Sequence, residues 1–190
     1  MENNEARVDP RVLRTRQLLK NAVVELLEEM DIEKITVNRI AERASINRVT
    51  FYLHYRDLPD MLEKMADEMV ENIRQVVNSN PEQAGKEEWQ LLENLLKHIQ
   101  ANARLYKVTL TFRQSTIFTD RLVALIDEMI ISRLERNGNI SSSPESMVQR
   151  DIAIWYGSAA LIGTVVKWLR RDMPYTPAYL AKQITMLRSQ

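Results

Sequence analysis

Cysteine is absent from this chain, and glycine occurs only four times and proline six times. Without cysteine there is no disulfide, no zinc ribbon and no thiol nucleophile, a usage compatible with a reducing cytosol. So few turn residues are poorly suited to a sandwich, a barrel or a doubly wound sheet, which need frequent turns, and they favour long helices. Long uncharged runs are scarce too. The longest, residues 152–166, contains Gly157, Ser158, Gly163 and Thr164. It falls short of the ~20 apolar residues a bilayer span needs and reads as a buried core helix, so no membrane partner is expected. Residues 1–10 are polar, with no apolar stretch to act as a signal peptide, and a cytoplasmic location is the expectation. His54 and His98 are the two histidines and show no His-x-x-x-His spacing, so neither reads as a metal ligand. There is no glycine-rich phosphate loop, no nucleophile elbow and no acid–base pair beyond ordinary surface charges. An enzyme is not expected, nor a cofactor.

What is present is apolar mass with a helical period. A hydrophobic content of 45% over 190 residues excludes wholesale disorder and allows a small domain joined to a larger one. Leu19, Ala22, Val23, Leu26, Leu27 and Met30 predict a first helix over residues 10–30. Thr36 is placed to cap a short helix over 37–44, and Asn47 to cap another reaching to about 53. Asp57 caps a fourth, with Pro59 in its first turn and Asp60 three residues after the cap, ending near residue 78. The Pro-, Gly-, Asn- and Gln-containing stretch 78–86 reads as the break between units. Beyond it, Trp89, Leu92, Leu96 and Ile99 mark a helix to about 103, a shorter segment runs to 112, and another helix covers 116–137. Ser143-Pro144 and Thr176-Pro177 are cap-plus-proline starts for a long helix to about 172 and for a last one carrying Leu180, Ile184 and Leu187. The expectation is therefore all-α, with about nine helices: a tail over 1–9, a first domain over 10–56, a connecting helix over 57–79, and a larger helical domain over 80–190.

The first domain carries the chemistry. One long helix followed by two short ones joined by a tight turn has the proportions of a helix-turn-helix. Ala41 is the small residue that lets the short helices cross closely. Ser45 serves in a turn where glycine would be better, and Ile46 and Phe51 hold the third helix to the second. Its exposed side then offers Asn47, Arg48, Thr50, Tyr52 and His54, donors and amphipathic rings suited to phosphates and base edges. Charge is distributed accordingly: residues 11–56 hold nine basic and six acidic side chains, five of the acids within 25–33, whereas 57–190 hold sixteen and seventeen. The N-terminal quarter is the candidate electrostatic footprint on phosphate.

The run 40–55, IAERASINRVTFYLHY, resembles the "IAxxAGVSxGTLYxHF" signature of the TetR family of regulators, and Thr36-Val37 matches the threonine-led entry to its second helix. The similarity covers about fifty residues. It implies an all-α homodimer that binds a palindromic double-stranded DNA operator, with a variable helical C-terminal domain for a small apolar or amphipathic inducer and for dimerisation. Repression is the default expectation. It also implies that Thr36, Asn47, Arg48, Thr50, Tyr52 and His54 form the DNA-facing set. The turn glycine is Ser45 here, Val49 replaces a small residue, and Leu58 replaces a phosphate-contacting lysine, a role that falls to Arg56. Each assignment has a plainer alternative: Tyr52 packing against the first helix, Arg48 on a solvated face, His54 as a structural histidine, Asn47 as a cap.

In the C-terminal half, Trp89, Tyr106, Phe112, Phe118, Trp155 and Tyr156 are candidates to line an apolar pocket or, equally, ordinary core. Ala153, Gly157, Ala160 and Gly163, with Leu180, Ile184 and Leu187, are candidates for a four-helix dimer interface, the small residues serving equally for close packing inside one subunit. The rival function is a helical protein–protein adaptor that keeps the fold without reading specific DNA.

Overall fold

The structure, a computed structural model, describes residues 9–78, 88–111, 116–136 and 149–188. Among these residues every regular element is helical, and the chain divides into two compact units, one up to Met65 and one from Ala66 onward.

The first unit opens with α1, Pro10–Glu29. Asp9 caps it, its carboxylate accepting from the Arg11 N–H at 2.8 Å, and proline occupies the first turn, where no N–H is missed. Its buried stripe is Leu19, Ala22, Val23, Leu26 and Leu27. A 3-10 turn at Ile32–Lys34 leads to α2, Val37–Arg43, and then to α3, Arg48–Tyr52. Helices of seven and five residues are too short to persist alone, so their ends must be satisfied and their apolar faces covered. Thr36 Oγ1 accepts from Arg39 N at 3.3 Å, and Asn47 Oδ1 accepts from Val49 N at 2.8 Å. Between them α2 ends in a left-handed cap at Ser45 (φ 55°). There Ser45 N donates to Glu42 O and Ile46 N to Ala41 O, closing two of the carbonyls a helix end leaves open. Ala41 is buried and Ile46 half-buried, while Phe51, Ile40, Leu19, Val23 and Met61 are fully sealed from solvent.

α4, Leu58–Asn78, belongs by its first turns to this unit and by the remainder to the second. The second unit continues with α5, Glu88–Ala101, α6, Ala103–Thr111, α7, Ile117–Arg136, α8, Arg150–Arg170, and α9, Pro177–Arg188. α9 packs along α5, and α8 lies against both α6 and α7. The single break at Asn102 separates α5 from α6, and its amide side chain donates to His98 O at 2.9 Å. Polar residues within helices are satisfied locally: Ser158 Oγ donates to Ile154 O at 3.0 Å, and Thr109 Oγ1 to Leu105 O at 2.8 Å. α8 ends as α2 does, with Asp172 N donating to Leu169 O and Met173 N to Trp168 O. Both Asp172 and Met173 lie in the left-handed region.

The long helix is described from Arg150, behind an extended Gln149, and the expected Ser143-Pro144 start lies outside the described residues. The expected starts at Thr36, Asn47, Asp57 and Thr176 are observed because each rests on a local cap: Thr176, for instance, accepts from Tyr179 N at 3.3 Å.

A left-handed non-glycine residue costs about 1 kcal/mol or more relative to glycine. Ser45→Gly is therefore expected to stabilise the protein by ~0.5–1 kcal/mol after glycine's own entropic cost. In a chain of this size that corresponds to a rise of roughly 1–4 °C in Tm. A β-branched Ser45→Val should lower Tm. Thermal melts of the two variants check this, and a glycine variant no more stable than the parent would contradict the strained-turn account.

Candidate nucleic-acid interface

The caps that hold α2 and α3 also decide which side chains remain outward. Asn47 spends its carbonyl on its own helix and Thr36 does the same for α2, so both act first as caps. Arg48 is exposed, with one long 3.5 Å contact from Nη1 to Asn38 Oδ1. Thr50 is half-buried. Tyr52 is 51% exposed, its ring edge-on to Phe51 at 5.6 Å between centroids, so one face rests on the core and the rest of the ring is open. His54 is half-buried; burial, and secondarily the charge of Arg16, push its pKa below the usual histidine value. Thus the outward set is Arg48, Val49, Tyr52 and Leu53. Val49 and Leu53, exposed by 66% and 76%, were missed by a sequence reading that looked for polar groups. An apolar side chain on a reading helix suits a thymine methyl as well as any polar group suits its partner.

Arg56 and Lys64 converge on Asp60. Arg56 donates to the two Asp60 carboxylate oxygens from its backbone N (3.0 Å) and Nε (3.1 Å), and Lys64 Nζ donates at 2.9 Å. Lys64 also reaches His54 O at 3.2 Å and lies 5.4 Å from the centre of the Tyr55 ring. Asp60 is itself buried, and it fixes both cations at the junction of α3 and α4 while leaving most of the Arg56 side chain in solvent. Lys64 thereby joins the candidate set at the place where Leu58 left a lysine missing. The remaining basic residues divide by use. Arg43 is held by Glu29 at 2.6 Å and Glu25 at 3.4 Å, and Lys34 by Asp31 at 2.8 Å. Arg39 donates to Lys34 O at 2.9 Å and contacts the Met30 sulfur. The acidic stretch 25–33 therefore neutralises part of the basic count; Arg11, Arg14 and Arg48 stand exposed, and Arg56 and Lys64 share the single counterion Asp60.

In the second unit a cavity of about 400 Å³ lies among α4, α5, α7 and α8, walled by Leu92, Leu95, Leu125, Ile126, Ile130 and Leu161. Among the described residues, none of the aromatic side chains expected at a pocket is part of this wall. Tyr106 and Phe118 are core; the Tyr106 hydroxyl has no partner, and burial drives its pKa well above the usual tyrosine value. Trp89 is half-buried beneath the Lys182 ammonium, 4.9 Å from its ring centre. Trp155 and Tyr156 are exposed by 65% and 76%, on the opposite side of α8 from its buried stripe. Phe112 lies outside the described residues. The small-residue face also divides. A Cβ on Gly157 would sit 3.1 Å from Ile130 Cδ1, so Gly157 serves α7–α8 packing within the chain, with Ala153 half-buried beside it. Ala160 and Gly163 face outward, and nothing lies within 4 Å of a Cβ built on Gly163. Leu180 and Ile184 are buried, in a helix that packs along α5, which removes them from any outer surface; Leu187 is exposed. Among the described residues no group of three metal-ligating side chains comes together.

Short capped helices around a sealed Phe51, with an uncovered third helix beside a basic junction, are the build of a helix-turn-helix regulator. Residues 87–190, more than half the chain, match the family model for a transcriptional regulator C-terminal region of the TetR type. The chain belongs to the TetR family of transcriptional regulators. A curated relative, the uncharacterized HTH-type transcriptional regulator YxbF of Bacillus subtilis, is 24% identical over 184 residues. That alignment takes in 94% of this chain and 46% of the relative, so the chain spans about half the length of the curated relative it matches. Among solved structures, a TetR transcriptional regulator from Streptococcus agalactiae superposes with a TM-score of 0.69 at 22% identity, over 94% of this chain and 96% of the other. The fatty acid degradation regulator FadR from Bacillus halodurans gives 0.68 at 18%, over 95% of each. The dihydroxyacetone kinase operon activator DhaS gives 0.61 at 20%, over 91% and 93%. At these identities the structural likenesses show the shared fold.

Lys64 and Arg56 hold the Asp60 carboxyl down from the ordinary 3.8 to about 2, Lys64 being the larger cause. A carboxyl depressed in the folded state contributes stability that is full above its unfolded value and fades as pH falls through the folded one. The protein should therefore lose Tm between about pH 4 and pH 2 more steeply than Asp60→Asn, and Asp60→Asn should be the less stable of the two at pH 7. Parallel melting profiles for the two proteins would remove Asp60 from its anchoring role.

Proposed function

We propose that the protein binds a palindromic DNA operator as a homodimer and represses transcription there, with release by a small amphipathic ligand held in the second unit. The observation that carries the DNA reading is α3: its cap is satisfied from within, its core residue Phe51 is sealed, and Arg48, Val49, Tyr52 and Leu53 are left uncovered. Two such helices enter successive major grooves ~34–36 Å apart. Arg11, Arg14, Arg56 and Lys64 supply the sequence-independent attraction to phosphate, and Arg48, Val49 and Tyr52 supply choice among sequences. Partition follows the two units: residues up to Met65 read DNA, and those from Ala66 onward bind ligand and partner.

Dimerisation is supported by α8. Only a third of its most apolar 18-residue window is buried. Ile152, Trp155 and Tyr156 stand in solvent with Ala159, Ala160 and Gly163 along the same side, and Tyr179 and Leu187 of α9 are exposed too. An apolar surface of this kind on a regulator is a partner-facing surface, and small residues between large ones let a second helix approach closely. A ligand acts by its differential affinity for two subunit arrangements, of which one sets the wrong spacing between reading helices. Membership of a family of transcriptional regulators supports a cytoplasmic location, where the chromosome of a bacterium lies.

Two measurements test this. Selection from sheared genomic DNA with the purified protein should enrich an inverted repeat, and Tyr52→Ala and Arg48→Ala should each weaken that binding by ~1–3 kcal/mol, about 5- to 150-fold, with helicity intact. Binding without sequence preference would favour the adaptor reading instead. In sedimentation experiments, Trp155→Glu combined with Tyr156→Glu should convert a dimer to a monomer, since buried interface aromatics contribute about 2 kcal/mol or more each. A dimer unaffected by the double substitution would move the interface elsewhere.

A further inference from the structure

We infer that Val49 covers the C5-methyl group of a thymine in the major groove, so that each half of the operator carries an A·T pair beneath it. This names a specificity-determining residue for the DNA reading above and rests on that reading. Val49 is the second residue of α3 and is 66% exposed. Leu53, four residues on and 76% exposed, continues an apolar strip along the same side. The core does not need this strip. Phe51 is the buried residue of α3, and Asn47 closes the start of the helix by accepting from the backbone N–H of Val49 at 2.8 Å. A β-branched residue also has lower helix propensity than alanine. An exposed valine in a five-residue helix therefore costs the fold a little, and what it offers is outward.

The surroundings favour nucleic acid over another protein as the occupant. Arg48 and Tyr52 flank the strip, Arg56 follows it, and α3 carries no acidic side chain. Valine neither donates nor accepts a hydrogen bond, so it tells base pairs apart only by the polarity and shape of what it covers. In the major groove A·T and T·A present a methyl group, whereas G·C and C·G present the guanine N7 and O6 acceptors and the cytosine amino donor. Covering a methyl removes apolar surface from water on both sides of the contact. Covering a cytosine amino group or a guanine carbonyl would take a polar group from water and give it no partner. The same side chain thus attracts one kind of pair and penalises the other. Its single preferred χ1 in a helix fixes the direction of its two methyl groups, so little freedom is lost on contact.

The test uses the full chain and the inverted repeat that selection enriches, at one fixed salt concentration. Each thymine of the repeat is replaced in turn, symmetrically in both half-sites, by deoxyuridine, which loses the methyl group and keeps every hydrogen-bonding group. At one position at least, the parent should bind about fourfold more weakly per methyl lost, about 15-fold for the symmetric pair. Val49→Ser should bind the thymine and uracil forms of that position within about twofold of each other. Val49→Ala, the better helix former, should show a clearly smaller thymine preference than the parent, with circular dichroism establishing that at least one variant keeps its helices. Measuring parent and variants on both DNAs separates the methyl contact from any change that uracil makes to the shape of the duplex. The inference is overturned if the repeat has no invariant A·T pair in its half-sites, if no uracil substitution weakens the parent, or if a folded variant stays as sensitive as the parent. In each of those cases the enriched repeat still stands, and the regulator reading with it. A selection that enriches no repeat overturns both, since a base-reading side chain without sequence preference is a contradiction.

Discussion

Five-residue and seven-residue helices have no business persisting in water, and everything proposed for this protein at the DNA end depends on two of them. The nucleation cost of a helix is recovered only over many residues, so α2 and α3 exist because their ends are closed and their inner faces sealed. Thr36 closes the first end, the left-handed Ser45 turns the chain while closing two carbonyls, and Asn47 opens the next helix two residues later. Phe51 completes the arrangement from inside, wholly buried and packed at 5.6 Å on Tyr55. Because these restraints are internal, no side chain on the outer face of α3 is needed to hold the helix. Arg48, Val49, Tyr52 and Leu53 are thereby left free to vary with what they contact.

Charge follows the same economy. A count of basic residues in the first unit overstates what faces outward, since Arg43 and Lys34 are spent on Glu29, Glu25 and Asp31, and Arg39 on backbone and sulfur. Surface pairs of this kind contribute little to stability. Their effect is to concentrate net positive potential at the start of α1 and at the α3–α4 junction. Asp60 differs from the others by being buried. Its two oxygens organise Arg56 and Lys64 together, and it acts at once as a helix-start carboxylate and as a fixed counterion.

Much of this architecture is legible in the residues alone, for a definable reason. Caps are local chemistry: Asp9, Thr36, Asn47, Asp57 and Thr176 each announce a helix start within three residues of the hydrogen bond that makes it one. The signature around Ala41–Tyr52 is equally local, so the reading helix and two of its four outward residues, Arg48 and Tyr52, could be found in advance, while Val49 and Leu53 could not. What failed was non-local. Gly157 and Gly163 look alike in the sequence, yet one lies against Ile130 and the other against nothing within 4 Å. Leu180, Ile184 and Leu187 share one helical stripe, of which the first two are covered by this chain and the third is not. Aromatic residues advertise a pocket, but the cavity is walled by leucine and isoleucine, types so common in cores that no spacing singles them out.

α8 shows why the second unit resists a reading from one sequence. Ile154, Ser158, Ile162, Val165 and Leu169 form its inward stripe, at the four- and three-residue steps of a single buried face. Ile152, Trp155, Tyr156, Ala159 and Gly163 form a second apolar stripe on the outside. A helix with two apolar faces has almost no polar pattern left to show which side is which, and it resembles the core helix of a larger protein or a bilayer span by composition. The distinction lies in what interrupts it. Ser158 and Thr164 bond back to their own helix and need no outside partner, whereas glycine and alanine between large aromatics shape a surface with room for another helix. Lipid alone would set no value on such close-approach positions beside Trp155 and Tyr156 in the first third of the helix. A second subunit would, and the same composition that hid the face in the sequence is what fits it for that partner.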